Sequence, residues 1–70
     1  MFLPGSQIKF KLKYSPFLTG TGTIQSIYAS ADLPCVYSVE IEEVEGHYIY
    51  VAGEVIFILP QEIEKEVYFA

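Results

Sequence analysis

Glutamate dominates the part of this chain where chemistry would be sought. Glu40, Glu42, Glu43 and Glu45 follow closely on one another, and Glu54 comes soon after. Clustered carboxylates can shuttle protons, hold a divalent cation or present a negative field to a basic partner. A calcium loop needs Asp and Asn at fixed offsets around a glycine turn; the chain has no Asn and the spacing is wrong. Acid–base catalysis needs a poised partner and a pocket. His47, the single histidine, follows Gly46 in a turn and reads as a solvent-exposed residue. Cys35 is the single cysteine, so it cannot form an intrachain disulfide. It has no basic neighbour in sequence to favour its thiolate, and reads as a small buried apolar residue. Gly20-x-Gly22 lacks the third glycine and the helix that a dinucleotide loop requires. No acid, base and nucleophile converge, so the expectation is a non-catalytic protein with no cofactor and no metal. Glu40, Glu42 and Glu43 remain either as an acidic docking face or as an ordinary solvated surface.

Two other groups could recognise a partner. Lys9, Lys11 and Lys13 alternate along one stretch. They form either a contact surface for anions or a solvated strand face whose lysines meet Glu62, Glu64 and Glu66 on a neighbouring strand. Tyrosine joins an apolar body to a polar tip and is enriched at interfaces. Tyr14, Phe17, Tyr28, Tyr37, Tyr48 and Tyr50 exceed what a small core requires. Phe17, in a proline-containing loop, is the leading exposed anchor, with Tyr14 and Tyr48 beside it as partner-binding candidates. An aromatic cage for a cation would use the same residues; packing in the core is the alternative.

The elements that must position these residues are strands. The chain has 70 residues, enough for one domain, and 51% of them are hydrophobic, too many for disorder. Val, Ile, Tyr, Phe and Thr, which suit a half-buried pleated surface, are abundant. Gln7 to Tyr14 alternates, with Ile8, Phe10, Leu12 and Tyr14 on the inner side. Pro16 makes a loop of the next stretch. Thr21 to Tyr28 is a second strand with a bulge or bend near Gln25-Ser26. Val36 to Glu43 is a third, with Tyr37, Val39 and Ile41 inward and Ser38, Glu40 and Glu42 outward. A hairpin at Glu45-Gly46 leads to a fourth strand, His47 to Val51, and Ala52-Gly53-Glu54 turns into a fifth, Val55 to Leu59. Beyond Pro60 the chain fits either an edge strand or one helical turn with a tail. Short strands at close spacing predict a small barrel or curled sheet.

The order of these segments resembles the SH3-like and KOW-like small-barrel superfamily. The resemblance runs from the glycine-led first strand through Gly20-x-Gly22-x-Ile24, Tyr37-x-Val39-x-Ile41 and Tyr48-Ile49-Tyr50-Val51 to Val55-Ile56-Phe57-Ile58-Leu59-Pro60. It covers roughly residues 5 to 60, and implies an all-β, five-stranded SH3-like barrel with a 3₁₀ turn before the last strand. It also implies a ligand surface near the first long loop and the third-to-fourth hairpin. The chain departs from peptide-binding SH3 domains in lacking their Ala-Leu-Tyr-Asp-Tyr-like segment and paired tryptophans, and from KOW barrels in lacking basic loops. The expected organisation is a barrel over residues 1–60 and an edge strand or tail over 61–70.

Charge divides along the chain. Through Cys35 three lysines outweigh Asp32, whereas eight glutamates face Lys65 thereafter, and the net charge is −5. Such a balance disfavours direct contact with a phosphate backbone. Neither a leader peptide nor an apolar run long enough to span a bilayer is read from the sequence, and a cytoplasmic protein without disulfides is expected. Two functional expectations follow. One is a protein-binding module or accessory subunit, including a homodimer joined through the C-terminal edge strand. The other is an acidic inhibitor, of the kind phages use, that occupies the basic nucleic-acid groove of a host complex.

Overall fold

The computed structural model describes residues 2–12, 18–29, 31, 35–45 and 51–68. Within them the protein is all-β. Five antiparallel strands form one sheet: β1 (Gln7–Lys11), β2 (Thr19–Tyr28), β3 (Val36–Glu45), β4 (Val55–Ile58) and β5 (Ile63–Tyr68), in the order β4-β3-β2-β1-β5. No described pairing joins β4 to β5, so the sheet is open and both strands are edges.

Alternation decides which side is buried. Ile8, Phe10 and Leu12 meet Ile24, Tyr37, Val39, Ile41, Ile56 and Ile58 in one core, with Leu18 closing it. Each such side chain contributes about 1.5–3 kcal/mol when fully buried. The Thr-Gly-Thr-Gly-Thr run of β2 serves the same end. Its threonines face out and its glycines face in, because no side chain fits there. A Cβ on Gly20 would stand 2.5 Å from the Glu43 carbonyl oxygen and 2.8 Å from the Phe10 ring. One on Gly22 would meet the Glu40 carbonyl at 2.5 Å and Val39 at 2.6 Å.

The expected bulge near Gln25-Ser26 is present: Ile24 pairs with Val39 and Ser26 with Ser38, leaving Gln25 extra. A second irregularity leaves Glu42 extra on β3, between the pairs Thr21–Glu43 and Gly22–Ile41. Strands β2 and β3 each run two residues beyond expectation. Thr19 and Gly20 find ladder partners on both sides, Lys11 and Phe10 on β1 and Glu45 and Val44 on β3.

Other expectations need correction. Ser38, expected to face solvent, is 5% exposed, because its small side chain sits in register between Ser26 and the much larger Phe57. Val51, expected in a strand, lies in a turn in which the Glu54 amide donates to its carbonyl. Gly53 takes φ +95° at the third position of that turn, as a type II turn demands. The turn is anchored to β3, since the Ile41 amide donates to the Glu54 carbonyl and the Gly53 amide to the Ile41 carbonyl. Glu45, expected in the hairpin turn, is the last residue of β3, whereas Gly46 and residues 47–50 of the expected fourth strand lie outside the described residues. After β4, the edge-strand alternative for the chain end is the one that forms, preceded by a short turn. Pro60–Glu62 form a 3₁₀ turn and Ile63–Tyr68 form the edge strand on β1.

Candidate functional site

The register sorts the outward side chains of the three central strands by chemical type. Lys9 pairs with Thr21 and Thr21 with Glu43; Lys11 pairs with Thr19 and Thr19 with Glu45. Gln7 pairs with Thr23 and Thr23 with Glu40. The outer face therefore carries a largely cationic column on β1, a hydroxyl column on β2 and a carboxylate column on β3. The strands are about 4.8 Å apart, so lysine and glutamate backbones stand roughly 10 Å from each other across the threonines. Between them lies an open groove of about 280 Å³, whose lining includes Lys9, Lys65, Thr19, Thr21, Glu43, Glu45 and Val67.

The fold thus gathers Glu40, Glu42 and Glu43 on one face, but they are not equivalent. Glu40 is half-buried and accepts from Gln25 Nε2 at 2.7 Å. Glu42, the bulged residue, accepts through one oxygen from Gln7 Nε2 at 2.9 Å and Thr23 Oγ1 at 3.0 Å. Glu43 is exposed on the groove wall. Two of the three carboxylates are engaged in fixing the face, and the bulge that allows this carries no signal in an alternating sequence.

The lysines depart from expectation. Lys9 does not meet a glutamate of β5; it stands opposite Lys65. From the pair Phe10–Ile63, an unbroken ladder would bring Glu64 to Lys9. The ladder instead slips by one residue, and slips again between Gln7 and Ile8. Among the described residues, no ion pair engages Lys9 or Lys65.

The candidate aromatics Tyr14, Phe17 and Tyr48 lie outside the described residues, as do Lys13, His47 and Tyr50. Other apolar side chains are exposed together where sequence reasoning did not place a site. Phe57 on β4 is 65% exposed and meets the ring of Tyr28 edge-on, with centroids 6.0 Å apart. Val55 shares its outward side of β4 and pairs with Glu40 of the carboxylate column. Strict alternation in Val55-Ile56-Phe57-Ile58 was the available signal, since one of its two apolar pairs had to face out.

The two sheet edges differ sharply. β5 bears Glu64, Lys65 and Glu66, charges that discourage another strand from adding to an edge. β4 bears none, and its far edge pairs with no described strand.

Tyr37, by contrast, belongs to the interior. It packs edge-on against Phe2, with centroids 5.8 Å apart. Burial pushes its phenol above the ordinary 10.0, a hydrogen bond with Cys35 pushes the same way, and one from the Phe2 backbone opposes them. Cys35 is half-buried against the core. Among the described residues no group of His, Cys, Asp or Glu is arranged to hold a metal, and no helix is long and apolar enough to cross a membrane. No family model matches the chain, and no curated protein or solved structure matches it.

Proposed function

We propose that this chain is a small non-catalytic protein-binding module that receives an extended segment of a partner along the outer edge of β4. One observation carries the reading. Among the described residues, an uncharged strand whose outer edge pairs with no other strand presents Val55 and Phe57 to solvent beside Tyr28, and the carboxylate column of β3 lies on its other side. Strand addition draws affinity from main-chain hydrogen bonds and specificity from pockets for alternate side chains. Exposed aromatic anchors of this kind commonly dominate binding energy. Val55 and Phe57 share one side of β4 and Glu54 immediately precedes it, so the partner segment carries apolar residues at alternate positions and a lysine or arginine at the end that meets Glu54. The SH3-like resemblance, under which the sheet would be part of a small barrel, expects its 3₁₀ turn before Val55, whereas the 3₁₀ turn forms after β4, at Pro60–Glu62.

Selection from a library of unstructured peptides tests the proposal. Binders should carry apolar residues at alternate positions, slow exchange of the Val55–Ile58 amides, and lose at least about tenfold affinity with Phe57→Ser. Binders that ignore this substitution and leave β4 exchange unchanged would dismiss it.

A further inference from the structure

The groove face invites a different partner. Lys9 and Lys65 confront each other because the β1–β5 ladder slips past Glu64, and like charges directly opposite in a sheet are destabilising. Local arrangements that contradict simple pairing rules concentrate at functional positions. What relieves this one is carboxylate, and the same face supplies carboxylates two strands away, in Glu43 and Glu45.

We infer that the outer face of β1, β2 and β3 is a homodimer contact in which the lysine column of one copy lies over the carboxylate column of the other. Symmetry makes the arrangement specific. A two-fold axis parallel to β2, running above the threonine column, exchanges left and right but keeps each row in place. Lys9, with Lys65 beside it, then faces Glu43 of the second copy, and Lys11 faces its Glu45. Thr19 and Thr21 meet their own counterparts on the axis. An in-plane axis perpendicular to the strands would set lysine over lysine and glutamate over glutamate. Two-fold pairs are the commonest assemblies of soluble chains, and their interface must be complementary to itself. This face meets that condition in charge in one orientation. Three strands about 4.8 Å apart, paired over five rows, span roughly 10 by 14 Å, well short of the roughly 800 Å² per partner of stable complexes, so the dimer is weak and salt-sensitive.

Charge exchange in the full-length chain tests the inference by sedimentation equilibrium. The native chain should dimerise reversibly as it approaches about 1 mM at low salt, and less in high salt. K9E/K11E makes both columns acidic and E43K/E45K makes both basic, so each variant alone should be monomeric. An equimolar mixture should form a heterodimer, which no loss of fold or intrachain ion pair could produce. An NMR dilution series of the native chain provides a reading without substitution. Shifts should concentrate at Lys9, Thr19, Thr21 and Glu43, and not at Val55 or Phe57. A native chain that stays monomeric, variants that dimerise as it does, a mixture that fails to associate, or shifts confined to β4 would each overturn the inference. The first three results leave partner binding at the β4 edge untouched, whereas shifts confined to β4 would move self-association to that edge.

Discussion

Lys9 on β1 stands directly opposite Lys65 on β5, although Glu64 and Glu66 flank the latter in sequence. A regular ladder would have paired Lys9 with Glu64. Converting Lys65 to Glu restores opposite charge across the ladder without altering the backbone. We expect Lys65→Glu to stabilise the dilute protein by about 1 kcal/mol at low ionic strength. The gain should shrink in high salt. Urea denaturation at two salt concentrations reads both effects.

The inward glycines of β2 yield the sharpest structural prediction. A methyl group at residue 22 would collide with the Glu40 carbonyl oxygen, which belongs to the paired strand and cannot turn aside. Gly22→Ala should therefore lower stability by about 1–3 kcal/mol, as overpacking does. The denaturation midpoint would fall with an unchanged slope. A variant as stable as the native protein would mean that β2 and β3 do not approach so closely.

Tyr37 makes stability depend on alkali. Its native pKa is raised, so folding favours the neutral phenol. This contribution is fully present below the ordinary value of 10.0 and is lost as pH rises through the higher native one. Thermal unfolding midpoints should decline above pH 10, and Tyr37→Phe should decline less steeply over the same range. Parallel curves would assign the loss to other groups.

Glu62 ties the 3₁₀ turn to the end of β4. It is 4% exposed, its carboxylate accepts from the Leu59 amide at 2.9 Å, and its own amide donates to the Leu59 carbonyl. Glu62→Ala leaves the Leu59 amide without its side-chain acceptor and should cost about 1–3 kcal/mol. Amide exchange should quicken first at Leu59 and in β5, because the turn sets where β5 begins.

Phe57 and Phe10 should behave oppositely. Phe10 is fully buried, and Phe10→Ala should cost about 3–5 kcal/mol. Phe57 is mostly exposed, and Phe57→Ser, which gives up only the edge-on contact with Tyr28, should cost no more than about 1.5 kcal/mol while removing the anchor at the β4 edge. Chemical denaturation of both variants checks the contrast.

Side-chain alternation alone determined the all-β character of this protein, the inward sets Ile8-Phe10-Leu12 and Tyr37-Val39-Ile41, and the bulge after Ile24, because burial on one side of a strand repeats every second residue. It could not determine what faces what across strands. The slip that places Lys65 against Lys9, the bulge that swings Glu42 toward Gln7 and Thr23, and the sorting of the outer face into cationic, hydroxyl and anionic columns are properties of register. So is the exposure of Phe57, since Val55-Ile56-Phe57-Ile58 is apolar at every position and only its neighbours choose which pair goes inward. Period-two patterning specifies a strand and its faces, whereas ladder irregularities and the identity of the free edge are decided only when the strands assemble.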